Sequence, residues 1–253
     1  MKILLTGYKG FIGGHLLRKL EKNHSMTLHE WGDPEPRVQG HDWVIHVGAI
    51  SSTTEQDVEK VMQQNVDFSI ELYQQCRHHD INFQFSSSAS IYGLGKSFAE
   101  TDPPDPRTPY AWSKYLVERH IKQLKPKYMV AQCFRYFNVY GPQGEEHKGS
   151  QASPFMQFQQ QARDTGTVKI FDIDARRDFV PVSCVVDTHV KFFNVSESGV
   201  FNVGTGTTKT FEEIAKIYTN HVEIVPMPDN LKNSYQMYTC ADMTKTQSML
   251  TNQ

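Results

Sequence analysis

The N-terminal stretch MKILLTGYKGFIGG constrains the fold more than any other part of this sequence. A short apolar run ends at a glycine, and two further glycines precede the apolar spacing of a helix. This order predicts a β-strand, a tight turn and a helix whose N-terminus points at the turn. Backbone N–H groups and the helix dipole there can bind a pyrophosphate, and glycines let it approach closely. The stretch thus predicts a dinucleotide site at Gly7, Gly10 and Gly13, the alternative being a glycine-rich turn without a ligand.

Length and charge limit the classes of protein that remain. At 253 residues the chain is one large domain or two small ones, with enough length for a buried core. The net charge of -2 gives no reason to expect nucleic acid or an anionic membrane as a partner. No apolar run approaches the roughly 20 residues that span a bilayer, and no basic-then-apolar leader begins the chain, so we expect a cytoplasmic protein.

The cysteines and histidines lack the spacing of a metal site. The cysteines lie far apart with no CxxC pair, and the histidines include no HExxH. We therefore expect no metal, and free, reduced thiols at Cys76, Cys133, Cys184 and Cys240.

Predicted strands and helices alternate through the first two thirds of the chain. We expect strands near 26–30, 43–47, 81–85, 128–134, 168–171 and 200–203, and helices near 55–79, 110–124, 154–163, 185–194 and 211–219. A basic turn is expected at Arg176-Arg177, and no strong helix at the end of the chain. This alternation predicts an α/β fold with a Rossmann-like, doubly wound parallel sheet, whose ligand crevice lies at the strands' C-terminal ends. We expect a dinucleotide-binding domain of residues 1–137 and 180–203, and a smaller C-terminal substrate-binding region of residues 138–179 and 204–253.

The second predicted strand ends at an acidic residue, Glu30. A carboxylate at this place can accept hydrogen bonds from the adenosine ribose hydroxyls, although a solvated charge is an equal alternative. The loop that follows, 32–41, is too short for the strand and helix that a full dinucleotide fold carries here, so we infer that this unit is missing or reduced. After the next strand, the small residues Gly48, Ala49 and Ile50 form a loop against which a cofactor can lie.

Tyr110 and Lys114 stand four residues apart on a predicted helix and therefore share a face. An ammonium beside a phenol favours the phenolate, so we expect a lowered pKa for Tyr110. Ser88 follows the preceding strand, where its hydroxyl can bond the tyrosine or a substrate oxygen. Together these side chains form an acid/base set that moves a proton while a hydride moves to a cofactor. An ordinary surface pair on a helix is the alternative for YxxxK alone.

The order of glycine turn, strand–serine and YxxxK resembles the extended short-chain dehydrogenase/reductase superfamily, in its NAD-dependent epimerase/dehydratase branch. Further stretches narrow the resemblance to the ADP-L-glycero-D-manno-heptose 6-epimerase family, over nearly the whole chain apart from residues 32–41. They are GAISSTTE at 48–55, FRYFNVYGP at 134–142, HKGSQAS at 147–153, RDFV at 177–180, FNVGTG at 201–206 and PMPDNLK at 226–232.

The resemblance implies an isomerase that inverts C6 of an ADP-heptose. A bound nicotinamide cofactor would take a hydride from C6, and the transient ketone would be reduced again on its other face. Inversion by this route needs acid/base groups on both faces of the sugar, which the family match assigns to Tyr110 and Lys148. The match also implies that Phe11, Ile12 and Asn65 contact the cofactor, and that Asn138, Ser150, Arg177 and Tyr235 bind substrate. Apart from the match, the Lys114 ammonium can hold the nicotinamide ribose, and Ser88 can bind the substrate oxygen.

The resemblance implies NADP as cofactor, with NAD as the alternative. The short 32–41 segment lacks a family lysine available to a 2′-phosphate, and Glu30 repels that group, although Lys9 and Arg37 can offset the repulsion. A different nucleotide-sugar epimerase or reductase, and a non-catalytic dinucleotide-binding protein, are the remaining alternatives. A 4,6-dehydratase is disfavoured because Ala89-Ser90 stand where an acidic pair is expected. We expect a nucleotide-sugar substrate and a homo-oligomer.

Overall fold

The computed structural model describes residues 1–229 and 235–251, except for the side chains of His147 and Ser150. Six parallel strands form a central sheet in the order β10-β5-β4-β3-β1-β2. They are β1 (Lys2–Thr6), β2 (Ser25–His29), β3 (Trp43–His46), β4 (Asn82–Ser88), β5 (Ala131–Tyr136) and β10 (Gly199–Val203). The predicted Rossmann-like parallel sheet is therefore confirmed.

Helices cover both faces of this sheet. The α-helices of the described residues include α1 (Phe11–Leu20), α2 (Val58–Val61), α3 (Phe68–His78), α4 (Pro109–Gln123), α5 (Pro154–Thr165), α6 (Val182–Lys191), α7 (Phe211–Ala215) and α8 (Thr244–Thr251). Helices α1 and α6 share one apolar cluster with β1 and β3, whereas α3 and α4 pack with β3, β4 and β5 in another. Strands covered on both sides must be apolar on both sides, which is why Ile3, Leu4 and Leu5 are all fully buried.

Strand β2 is an edge strand of the central sheet, and the loop after it leads back past β1 to β3. Strand β2 pairs with β1, and β3 pairs with the other side of β1. Among the described residues, no strand pairs with the outer edge of β2. The inference that a strand–helix unit is missing here is confirmed.

The remaining strands form three small two-stranded sheets. Strand β6 (Asn138–Tyr140) pairs with β9 (Phe179–Pro181), β7 (Val168–Phe171) with β12 (Val222–Val225), and β8 (Arg176–Arg177) with β11 (Lys209–Thr210). With α5 and α7 they enclose a separate apolar cluster of Phe158, Val168, Phe179, Ile214 and Ala215.

Several predicted elements differ from the structure; the helix predicted over 211–219, for example, ends at Ala215. Arg176 and Arg177 form strand β8 instead of a turn, because they pair with residues distant in sequence. The strand predicted from 128 begins at Ala131, and the Tyr128 ring remains exposed under the Lys127 ammonium, 4.8 Å from its centroid. The tail ends in a helix, α8, whose Lys245 and Thr246 side chains each donate a 2.7 Å hydrogen bond to a β10 carbonyl. The hydrophobic pattern of the tail alone does not predict this helix, because its contacts are made to a strand about 45 residues earlier in the chain.

Cys76, Cys133, Cys184 and Cys240 are free thiols. In residues 1–229 and 235–251, no three or more His, Cys, Asp and Glu side chains are grouped to hold a metal ion. No helix of this part of the chain has both the length and the apolar character needed to cross a membrane.

Candidate active site

The glycine turn joins β1 to α1 in a space that excludes side chains. Gly7 has φ of +76°, and a Cβ on it would lie 2.3 Å from the Gly48 Cα. A Cβ on Gly13 would lie 2.0 Å from the Gly7 carbonyl oxygen. Gly10 is the N-cap of α1, and no side chain in the described residues caps this helix end. Bare N–H groups at the sheet's C-terminal edge fit the pyrophosphate of a dinucleotide.

Glu30 lies beside this turn, one residue after β2. Its Oε1 accepts a 2.6 Å hydrogen bond from the backbone N–H of Lys9, within the turn. The Glu30 N–H donates in turn to Asp33 Oδ2 at 2.8 Å. The carboxylate is therefore held next to the predicted pyrophosphate position. An acidic residue about 20 residues after the glycine turn is where a dinucleotide fold binds the adenosine ribose.

Asn65 fixes the small-residue loop that follows β3. It lies fully buried in a π-helical turn, Met62–Asp67, between α2 and α3, and such turns are frequent at functional sites. Its Oδ1 accepts from the Ile50 N–H at 2.8 Å, and its Nδ2 donates to the Ile50 carbonyl at 2.9 Å and to Ser113 Oγ at 3.1 Å. These bonds hold the 48–50 loop, and direct contact between Asn65 and a cofactor stays a prediction.

Five predicted site residues line one cavity of about 250 Å³. Ser88 is the last residue of β4, and Tyr110 lies in the first turn of α4, which Thr108 caps by accepting a 3.1 Å bond from the Ala111 N–H. Asn138 begins β6, and Lys148 lies in the 3₁₀ helix Glu146–Gln151. The cavity stands over the glycine turn, because Ile12 of α1 also lines it. Residues far apart in sequence thus meet at the carboxyl ends of the central strands.

Burial dominates the electrostatics of the YxxxK pair. The Lys114 ammonium lies 4.8 Å from the Phe85 ring centroid and 5.9 Å from that of Tyr110. Burial lowers the pKa of Lys114 to about 7, against the attraction of Glu118. Burial also raises the pKa of Tyr110, against a hydrogen bond from Ser88. The prediction of a lowered Tyr110 pKa is wrong for the protein groups alone, since a dry site disfavours charge on both side chains.

Lys148 reaches the cavity from a different element than Tyr110, the 3₁₀ helix Glu146–Gln151. Its Nζ lies 4.5 Å from the centroid of the Phe11 ring and 4.0 Å from Glu145 Oε2. Burial lowers the pKa of Lys148, and the carboxylate of Glu145 opposes that shift. Phe11 is thus a platform under this lysine as well as a residue of the glycine turn.

Arg177 and Tyr235 do not line the cavity of Ser88, Tyr110, Asn138 and Lys148. The Arg177 guanidinium lies 5.0 Å from the Tyr235 ring and 5.9 Å from the Phe211 ring, and burial lowers its pKa. Tyr235 lines a second cavity of about 360 Å³ with Asp172, Ile173, Pro226, Met227 and Met237. The predicted substrate residues therefore fall at two places, and the side chain of Ser150 lies outside the described part of the chain.

Sequence reasoning missed a buried ionic cluster behind the YxxxK helix. Glu118 receives hydrogen bonds from the Ser87 hydroxyl and, at 2.7 and 3.0 Å, from Nη2 and Nε of Arg135. The available signal was spacing, because Tyr110, Lys114 and Glu118 repeat every four residues along one helix face. It also missed Glu145, whose buried side chain lines the same cavity as Tyr110 and Lys148; this residue lies between the stretches 134–142 and 147–153 but belongs to neither.

Comparisons with known proteins identify the family of this chain. Residues 35–204, more than half of the chain, match the model of the NAD-dependent epimerase/dehydratase family. Among solved structures, the Helicobacter pylori ADP-L-glycero-D-manno-heptose-6-epimerase superposes with a TM-score of 0.88 at 24% identity, covering 99% of this chain and 90% of that one.

Two 4-epimerases are similarly close. The Thermotoga maritima UDP-glucose 4-epimerase, solved with UDP-glucose, has a TM-score of 0.87 at 25% identity, covering 99% of this chain and 93% of that one. The Methanobrevibacter ruminantium UDP-N-acetylglucosamine 4-epimerase has a TM-score of 0.87 at 21% identity, covering 98% and 91%. Since the family match includes the YxxxK helix and the loop of Lys148, this chain belongs to the NAD-dependent epimerase/dehydratase family.

Proposed function

We propose that this protein is a nucleotide-sugar epimerase that inverts C6 of ADP-glycero-manno-heptose by reversible hydride transfer. The observation that carries the proposal is the cavity in which Tyr110 and Lys148 meet from separate elements, beside Ser88 and Asn138. A carbinol centre that is oxidised and then reduced on its other face needs an acid/base group near each face. A cavity with two such groups therefore fits an inversion better than it fits a reaction that needs only one base.

The cofactor, when bound, supplies a hydride acceptor and donor. The protein's task is proton transfer, and the pKa directions suggest an assignment. Burial favours the neutral amine of Lys148, which can accept the C6 hydroxyl proton as the C6 hydrogen leaves as hydride. Burial favours the neutral phenol of Tyr110, which can donate its proton to the carbonyl oxygen as the hydride returns. In the reverse direction the two roles exchange, and proton exchange with water restores both groups.

The substrate assignment rests on two features of the sequence and structure. The HKGS stretch that supplies Lys148 resembles the heptose epimerases, and Arg177 is a buried guanidinium that can bind a diphosphate as a fork. In this proposal residues 138–179 and 204–253 hold the nucleotide sugar, and the central sheet holds the cofactor. Another nucleotide-sugar epimerase remains the competing function, supported by the similarity to UDP-sugar 4-epimerases.

We propose NAD as the cofactor, in place of the NADP that the heptose-epimerase resemblance implies. Glu30 is held by the Lys9 N–H beside the glycine turn, and a carboxylate there accepts from ribose hydroxyls but repels a 2′-phosphate. Isothermal titration with both cofactors tests this. We expect NAD to bind at least about tenfold more tightly, and Glu30→Gln to reduce that ratio. Tighter binding of NADP would refute the assignment.

The proposed reaction is tested by incubating the protein and NAD with ADP-D-glycero-D-manno-heptose and following the product by NMR. We expect the C6 epimer to accumulate to an equilibrium mixture, without deuterium at C6 when the solvent is D₂O, because the hydride returns from the cofactor. Lys148→Met and Tyr110→Phe serve as inactive controls. No turnover by a folded protein that binds cofactor would refute the substrate.

Parallel incubations separate the competing functions. Epimerisation of UDP-glucose at C4, with ADP-heptose unchanged, would favour the 4-epimerase. Failure of every substrate, together with failure to bind any dinucleotide, would leave neither enzyme function tenable.

A further inference from the structure

Glu145 is a buried carboxylate at the catalytic cavity to which the proposed reaction gives no role. Its residue is 1% exposed, yet it lines the same cavity as Tyr110 and Lys148. A buried charge is costly unless polar partners compensate for the lost water. The partners of this carboxylate therefore indicate what it does.

One set of partners ties Glu145 to the start of α5. Its Oε2 accepts from the Ser153 N–H at 2.6 Å, and its Oε1 accepts from the Ser153 hydroxyl at 2.9 Å. Ser153 is the N-cap of α5, a helix end that favours a negative charge. Both oxygens are thus oriented, and the carboxylate cannot rotate away from the cavity without losing these bonds.

The other partner is Lys148. Its Nζ lies 4.0 Å from Glu145 Oε2, and its backbone N–H donates to the Glu145 carbonyl at 2.9 Å. The two residues are three positions apart in the chain, and the Glu145 carboxylate faces the Lys148 amine at the cavity. The same Nζ lies 4.5 Å from the centroid of the Phe11 ring.

The other titratable groups near Lys148 are differently placed. Tyr110 lines the cavity from α4, and His15 lies on α1 with its ring 5.3 Å from that of Phe11. Glu146, next in the chain to Glu145, accepts a 2.6 Å bond from the Gly144 N–H. The carboxylate of Glu145 raises the pKa of the Lys148 amine against the effect of burial.

We propose that Glu145 is a positioning residue for Lys148, holding its amine at the cavity wall and supplying the negative charge against which that amine exchanges a proton. The proposal deepens the proposed epimerase function and rests on it for its kinetic consequences. The electrostatic link between the two side chains does not depend on which sugar is the substrate.

Glu145→Gln removes the charge while keeping the size of the side chain. If Lys148 is the base, kcat/KM rises with pH as its amine loses a proton, and loss of the charge moves that acid limb to lower pH. An opposite charge at this distance shifts a pKa by about 1 unit or more, so we expect a shift of about 1 pH unit. We also expect kcat to fall at least about tenfold with KM changed less than about threefold, because the substrate contacts remain.

Ser153→Ala is the matched control. It removes a hydrogen bond from Glu145 but leaves the carboxylate charged, so the acid limb should stay at its pH even if the protein becomes less stable. Glu145→Asp keeps the charge on a shorter side chain and should restore part of the wild-type profile. In a Lys148→Met background, Glu145→Gln should cause no further loss of rate, because a residue that acts through the lysine has no target there.

A direct readout needs no turnover. Lysines are methylated with ¹³C-formaldehyde, the Lys148 signal is assigned by its absence in Lys148→Met, and its titration is followed by NMR. In folded Glu145→Gln we expect that titration midpoint to fall by about 1 pH unit. An unchanged midpoint in Glu145→Gln would overturn the proposal, and if that variant does not fold, a midpoint in Glu145→Asp identical to wild type would do so. A shifted midpoint in a protein that epimerises no sugar would refute the proposed function and leave the positioning role standing.

Discussion

Lys114→Met is expected to make the folded protein more stable and catalytically dead. Lys114 is 2% exposed on α4, and its ammonium has the rings of Phe85 and Tyr110 for neighbours in place of water. Burial lowers its pKa from 10.5 to about 7. Methionine has a similar length and volume, carries no charge and fits an apolar surrounding. The partners of Glu118 do not depend on the lysine, because Ser87 and Arg135 bind that carboxylate.

The magnitude follows from the two pKa values. Between pH 7 and 10.5 the unfolded chain keeps a proton that folded Lys114 has lost, so the free energy of unfolding rises with pH by about 1.4 kcal/mol per unit. The pKa difference, 10.5 minus about 7, is about 3.5 units. It corresponds to an upper limit of about 5 kcal/mol by which the buried ammonium destabilises the folded state at pH 7 and below. Loss of the cation–π contact with Phe85 subtracts about 1 kcal/mol. We expect a net gain of about 2–4 kcal/mol for the variant at pH 7.

Urea denaturation of nucleotide-free protein measures this directly. Wild type should gain stability as the pH rises from 7 to 9.5, whereas Lys114→Met should lack that slope, so the advantage of the variant shrinks with pH. Lys122→Met, an exposed substitution on the same helix, should change neither stability nor slope appreciably. If Lys114→Met is less stable than wild type at pH 7, or follows the same pH slope, the buried lysine is not a destabilising charge.

Three further variants test other parts of the site. Tyr110→Phe should lower kcat at least about 10²-fold while NAD affinity, measured by titration calorimetry, stays within about threefold, and an unchanged rate would exclude the tyrosine as an acid/base group. Gly13→Ala places a methyl group 2.0 Å from the Gly7 carbonyl, so the turn must open, and NAD affinity should fall more than about tenfold; normal affinity would show that the turn is not the pyrophosphate site. Glu118→Gln leaves Arg135 with a buried charge lacking its carboxylate and should cost about 3–5 kcal/mol in urea denaturation, whereas a loss below about 1 kcal/mol would mean that water replaces the pair.

Local sequence patterns were sufficient where the physical constraint is itself local. The glycine spacing predicted the turn because Gly7 needs positive φ and Gly13 needs the room of a missing Cβ, both within a few residues of chain. Apolar runs predicted strands such as β1 and β3, because a strand covered on both faces is mostly apolar. The four-residue spacing of Tyr110 and Lys114 predicted their shared helix face, since the helical repeat alone determines it.

Patterns failed where an element depends on distant partners. Strand β8 exists because Arg176 and Arg177 pair with Lys209 and Thr210, and α8 is held by bonds from its side chains to β10. Neither partner is visible within a window of neighbouring residues. The separation of Arg177 and Tyr235 from the cavity of Tyr110 and Lys148 likewise depends on how the small sheets pack.

By itself, the sequence determined that a dinucleotide-type turn opens a parallel α/β sheet and that Ser88, Tyr110 and Lys114 follow it in order, because these features need only short-range spacing. Only the tertiary structure decided which of these groups carries a charge. Burial lowers the pKa of Lys114 and raises that of Tyr110, contrary to the effect that their proximity predicts. The tertiary structure also places Glu145 Oε2 4.0 Å from the Lys148 amine, at a cavity that both residues line. Desolvation depends on every atom that surrounds a group, and those atoms come from the whole chain.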